Sequence, residues 1–118
     1  MASESDFGAD NVWRFNTNLP DSAKAVGDRL AAALAPLGIV RGKDVAGGGT
    51  DVGPVLATGV PAVTLAQSGE RYFDWHHTPD DTLDKIDPAQ LRQNVAAWTT
   101  VLAILSGGIE EPKPAKRR

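Results

Sequence analysis

Both histidines of this 118-residue chain sit side by side, in Trp75-His76-His77-Thr78-Pro79-Asp80-Asp81-Thr82. Imidazole is the commonest metal ligand and the usual acid–base group near neutral pH. Asp74, Asp80, Asp81, Asp84 and Asp87 surround the pair. There is no cysteine, so thiolate metal sites and disulfides are excluded, and any metal must be held by carboxylates and imidazole. The same residues also describe a solvated loop whose aspartates cap turns. Nearby carboxylates raise a histidine pKa as readily as they assist a metal.

The elements around this loop follow from pattern. Residues 1–19 are polar with scattered aromatics, and a short strand leading into an irregular loop is expected there. Asp21-Ser22 reads as the cap of a helix, with Ala25, Val26, Leu30, Ala33, Leu34 and Leu37 near helical spacing and Gly38 as its stop. Gly38-Ile39-Val40 begins an extended segment. Gly47-Gly48-Gly49-Thr50-Asp51 is a turn; it is not a P-loop, because the Gly-Lys-Ser/Thr ending is missing. One or two helical turns follow over residues 51–57. Val60-Pro61-Ala62-Val63-Thr64-Leu65-Ala66 reads as a buried strand.

Asp87-Pro88-Ala89-Gln90 starts a long helix: Asp caps, Pro takes the first position and Gln stands three after the cap. Leu91, Val95, Trp98, Leu102 and Leu105 repeat at spacings of four and three, which predicts that this face packs on the sheet. Helices alternating with strands imply an α/β fold with a mostly parallel sheet. Reactive groups then collect beyond the carboxyl ends of strands, where the histidine loop falls.

Composition narrows the function. The net charge is −3. Residues 110–118 carry Lys113, Lys116, Arg117 and Arg118 against Glu110 and Glu111, leaving eight basic and thirteen acidic residues in the body. An acidic body excludes the basic face that nucleic-acid binding needs. Two regions are expected, a body over 1–109 and a disordered basic tail over 110–118. No stretch reaches the ~18 apolar residues of a membrane span. Met1-Ala2-Ser3-Glu4-Ser5-Asp6 does not read as a signal peptide, and the compartment stays open.

Four segments together resemble the co-catalytic zinc exopeptidases, metallopeptidase family 28 of clan MH, from Glu4 to about Leu105. Glu4-Ser5-Asp6-Phe7-Gly8 looks like the strand end that carries an aspartate zinc ligand. Gly49-Thr50-Asp51, with Ala57-x-Gly59-Val60-Pro61-Ala62 after it, is similar to the family's glycine-rich turn. Many members have a histidine after that aspartate, and here Val52 stands there. Tyr72-Phe73 through His77-Thr78-Pro79-Asp80-Asp81-Thr82-Leu83-Asp84-Lys85-Ile86-Asp87-Pro88 is the most specific match. The final amphipathic helix is consistent and generic.

The resemblance implies a zinc exopeptidase fold and two zinc ions about 3.5 Å apart that activate a water toward a peptide carbonyl. It implies His77 and Asp6 as ligands of different zincs, and Asp51 and Asp81 as acceptors behind them. His76 and Tyr72 would line a pocket. Asp81 capping a turn with Thr82 and Asp51 capping a helix remain open readings, and packing is the preferred role of Tyr72, Phe73 and Trp75. The general base and the other ligands are expected upstream of this segment, so no catalytic residue is assigned within it. The chain thus reads as the C-terminal portion of an enzyme of peptide substrates, inactive alone. The alternative is a truncated, non-catalytic α/β binding module. A sheet cut this way exposes an edge through which it could self-associate.

Overall fold

A computed structural model describes residues 1–107. Its centre is β1 (Val12–Asn18), flanked by β2 (Val40–Val45) and β3 (Ala62–Gln67) in the order β2-β1-β3. β1 and β2 run parallel and are joined through α1 (Lys24–Leu34), the crossover that a parallel pair requires. β3 runs antiparallel to β1, from Val12 opposite Gln67 to Asn18 opposite Ala62. The α/β class with helices on the sheet is as the sequence indicates, and the sheet is mixed, with one parallel and one antiparallel pair.

The region 1–19 inverts the expected order: an irregular stretch comes first and the strand second. The strand is central although its sequence, Val-Trp-Arg-Phe-Asn-Thr-Asn, is largely polar. Phe15 is fully buried, and Asn16 lies buried beside it. Ahead of β1, residues 2–5 lie along the outer edge of β3. Ala2 bridges Ala62 in the parallel sense, Ser3 Oγ donates to the Val63 carbonyl, and Gln67 Nε2 donates to Ser5 Oγ at 2.9 Å.

α1 gives Leu30 and Leu34 to the core, each with no exposed surface. It ends in a 3-10 turn over Ala35–Leu37, and Gly38 takes φ 77°, which only glycine adopts freely. No side-chain cap bond forms at Asp21-Ser22, where a 3-10 turn precedes the helix. The core joins these leucines to Val12, Phe15, Ile39, Val63, Leu65, Ala97, Val101 and Ile104.

The long helix, called α4 (Pro88–Leu105), starts as the sequence predicts: Asp87 accepts from the Ala89 N–H at 2.7 Å. Its orientation is a correction. Asn94, Ala97, Val101 and Ile104 face the core, while Leu91, Val95 and Leu102 are 42%, 58% and 62% exposed. Trp98 and Leu105 pack only at the rim of the core. The cause is legible afterwards: from Val95 onward α4 is apolar on nearly every side, so periodicity does not select one face. Small Ala97 lets the helix sit close, and polar Asn94 faces inward because it has partners there. Residues 110–118, expected to be a tail, lie outside the described residues. No helix among the described residues is long and apolar enough to cross a membrane.

Candidate functional site

Three segments enclose a cavity of about 460 Å³: residues 5–10, 71–77 and 81–86. Asp6, Tyr72, His76, His77 and Asp81 all line it. Asp51 does not; it is exposed on the glycine-rich turn. There the Asp51 and Val52 N–H groups both donate to Glu4 Oε2 at 3.2 Å. These are orphan donors just ahead of α2 (Gly53–Leu56), and an anion suits that end of a helical turn. A Cβ on Gly49 would lie 2.6 Å from Glu4 Oε1, so a side chain there would push the carboxylate aside. The turn therefore anchors the strand end that leads to Asp6.

The histidines are set by a single helical turn, α3 (Tyr72–Trp75), that stops abruptly. The His76 N–H closes the turn on the Tyr72 carbonyl at 2.9 Å, and His76 then turns to ψ 121°. His77 follows at φ 56°, the one non-glycine residue in the left-handed region among the described residues. Such a conformation costs of order 1–3 kcal/mol and is concentrated at functional sites. Thr78 fixes the next step by donating from both its N–H and its hydroxyl to the Trp75 carbonyl.

Four rings tie the two walls together. Phe7 stacks on Tyr72 with centroids 4.1 Å apart, Tyr72 lies 4.6 Å from His76, and His76 stacks on His77 at 3.8 Å. Asp6 and His77 thus stand at opposite ends of one stack, each next to or within its terminal ring. Pairs of this kind are worth about 0.5–1.5 kcal/mol beyond their burial. Tyr72 and His76 combine packing with lining the cavity.

An ion pair reinforces the stack. Arg71 Nε donates to Asp10 Oδ2 at 3.1 Å, and its Nη2 donates to Asp10 Oδ1. Hydrogen bonding to Asp10 raises the Arg71 pKa further, and the guanidinium also lies 5.0 Å from the Trp75 ring centroid. On the third wall, the Thr82 hydroxyl and then Lys85 hold the Asp84 carboxyl down to about 2. The Ala89 N–H lowers Asp87 in the same sense. Asp81 donates its N–H to the Thr78 carbonyl, so it shapes the loop through its backbone while its residue borders the cavity.

Sequence reasoning missed the amides that hold the Asp6 loop. Gln90 Oε1 accepts from the Asn11 N–H at 2.7 Å, and Gln93 Oε1 accepts from the Val12 N–H at 2.9 Å. Asn94 Nδ2 donates to the Asp10 carbonyl at 2.8 Å, and Gln67 Nε2 donates to Asn94 Oδ1 at 3.3 Å. The signal was present: Gln90, Gln93 and Asn94 stand three and four apart on the helix, so they share a face.

The donors suit zinc in kind, since neutral imidazole and carboxylate are both good ligands. They fall short in number. Among the described residues no three His, Asp or Glu side chains come close enough together to hold a metal ion. No glutamate lines the cavity to act as a base.

With this geometry established, three comparisons identify the class. The profile of Peptidase family M28 matches residues 4–102. The chain belongs to that family. A solved structure, a Peptidase M28 precursor from Shewanella amazonensis, superposes with a TM-score of 0.80 at 40% identity, over 97% of this chain and 26% of that one. Carboxypeptidase Q of Bos taurus is 29% identical over 114 residues, 97% of this chain and 24% of that protein. Carboxypeptidase Q of Rattus norvegicus is 33% identical over 94 residues, 80% and 20% of the two chains. The chain therefore spans about a quarter of the length of the relatives it matches.

Proposed function

We propose that this chain is the C-terminal part of a dizinc exopeptidase of peptide substrates, and that Asp6 and His77 each supply one metal ligand. The observation that carries this reading is their convergence on one cavity, with His77 held in a left-handed conformation. Zinc, when bound in a completed site, supplies Lewis-acid activation of water and of the scissile carbonyl. This chain's own contribution is to orient. The ring stack fixes the His77 imidazole, and the Glu4 anchor and the Asp10–Arg71 pair fix the backbone on both sides of Asp6. Asp81 borders the cavity beside the histidines, where it can accept from an imidazole N–H in the assembled site. Tyr72 and His76 form wall against which a peptide end rests. The relatives named Carboxypeptidase Q favour removal of C-terminal residues; peptides blocked at one end or the other decide that polarity.

Two ligands of different metals make no tight site, since catalytic zinc takes three protein ligands and a water. The isolated chain should keep no stoichiometric zinc through dialysis against a mild chelator, and should not hydrolyse aminoacyl or dipeptide substrates. Replacing the matching quarter of the Shewanella amazonensis peptidase by this chain should give a zinc-loaded hydrolase. In that chimera His77→Ala should strip metal and activity together, while His76→Ala keeps the metal. The reverse order would refute the ligand assignment, and stoichiometric zinc on the free chain would refute the incomplete site.

A further inference from the structure

Two side-chain amides lie buried beneath the Asp6 loop. Gln67, 4% exposed, is the last residue of β3, and Asn94, 6% exposed, stands in the second turn of α4. Gln67 Nε2 donates in two directions, to Ser5 Oγ at 2.9 Å and to Asn94 Oδ1 at 3.3 Å. Asn94 Nδ2 donates to the Asp10 carbonyl at 2.8 Å and to the Gln90 carbonyl at 2.9 Å. Each NH2 group thereby uses both of its hydrogens. The bonds run from Ser5 through Gln67 and Asn94 to Asp10, so they join the two ends of the loop from the core side. Between those ends stand Asp6, Phe7 and Gly8, all exposed and so not held by burial.

Burying an amide costs free energy unless it is bonded, and apolar side chains of the same shape would fill this space without needing partners. What only the amides supply is the connection from Ser5 to Asp10. We propose that Gln67 and Asn94 are positioning residues for Asp6: they fix the span of the 5–10 loop and so hold the Asp6 carboxylate at the cavity. The role presupposes Asp6 as a metal ligand. It is separate from that of Arg71, which grips the side chain of Asp10, whereas Asn94 grips its backbone.

The double variant Gln67→Met, Asn94→Leu separates positioning from stability. In the free chain it should melt within about 5 °C of the parent, because apolar groups of the same shape replace both partners. Backbone amides of residues 6–10 should nevertheless exchange about tenfold faster, while those of α1 do not. In the zinc-loaded Shewanella amazonensis chimera, competition with a chelator should show one of two zincs held roughly 10–100-fold more weakly and the other unchanged, the usual effect of losing a group that orients a ligand. Ser5→Ala removes the far end of the bond chain at an exposed residue and leaves the core untouched. It should weaken the same zinc, and it decides alone if the double variant does not fold. Asp6→Ala is the control on the ligand itself and should remove that zinc entirely; two zincs retained on Asp6→Ala would refute the ligand assignment. If Asp6→Ala removes a zinc while the double variant and Ser5→Ala hold both at parental affinity, the positioning role alone is overturned. Equal weakening of both zincs together with a larger fall in melting temperature would also overturn it, because the amides would then serve only the fold.

Discussion

Asn94→Ala should loosen the Asp6 loop while leaving the core intact. Asn94 is buried. Its Nδ2 donates to the Asp10 carbonyl at 2.8 Å, and its Oδ1 accepts from Gln67 at 3.3 Å. Its bond to the Gln90 carbonyl duplicates a helical one and adds little. The Asp10 bond is worth about 1 kcal/mol net, and leaving its part-buried partner unsatisfied adds about 1 kcal/mol. Gln67 keeps Ser5 as an alternative, so its loss is small. The total is about 2 kcal/mol, with a range of roughly 1–3. At about 4–8 °C per kcal/mol for a domain of this size, the melting temperature should fall by roughly 10–15 °C. Urea titration followed by far-UV circular dichroism measures the energy. Hydrogen exchange of residues 9–12 locates it, because those amides should exchange faster while α1 amides do not. A loss below about 0.5 kcal/mol, or faster exchange in α1 alone, would refute the role given to this amide.

Other predictions follow from the same contacts. Leu34→Ala, at a fully buried position, should cost about 2–5 kcal/mol in denaturant titration, whereas Leu102→Ala in the free chain should cost under about 0.5. Arg71→Ala should shift the 5–10 segment, read as increased exchange there and loss of the Phe7–Tyr72 stack in aromatic chemical shifts; Arg71→Lys should restore it only in part, since lysine cannot make the paired bonds to Asp10. Stability should fall on acidification, because Asp84 is held from its ordinary 3.8 down to about 2 and Asp87 is shifted the same way. A depressed carboxyl stabilises above its unfolded pKa and loses that contribution as pH drops through the folded one. The Asp84 part should therefore vanish between about pH 4 and pH 2, and Asp84→Asn should flatten the melting temperature against pH in that window.

Elements fixed by local chemistry were legible in the sequence. The Asp87-Pro88 start of α4, the Gly38 stop and the apolar run of β3 each rest on near neighbours, and each stands as read. What depended on distant partners was not legible. β1 looked polar because its Asn and Thr side chains sit in the middle of a sheet whose other strands lie far along the chain. The inward face of α4 was hidden because the outward face is as apolar, and which one turns in is decided by α1 and by the loop that Asn94 serves. At the site, the Thr-x-x-Asp-Thr pattern after His77 singled out one loop, and Asp6, His76, Tyr72 and Asp81 line a cavity with it. Asp51 was placed behind the site by motif; in the structure it lies outside the cavity, on the turn whose N–H groups hold Glu4. Asp10 and Arg71 carried no pattern, since a salt bridge across sixty-one residues leaves no local trace.

The laying of residues 2–5 along β3 bears on the order of folding. The bonds that close the site join residues sixty to eighty-four apart: Ser3 to Val63, Arg71 to Asp10, Ser5 to Gln67 and Asn94 to Asp10. Loops of that length close late and slowly compared with the local turns of α1 and α4. The first ten residues should therefore dock after the helices have formed, which pulsed hydrogen exchange during refolding would show as late protection of residues 2–10. They are also the easiest part to detach, because few apolar contacts hold them and Ser5, Asp6, Phe7 and Gly8 are exposed. The cavity exists only while that short strap is docked, so its opening is a local event of lower free energy than unfolding of the core.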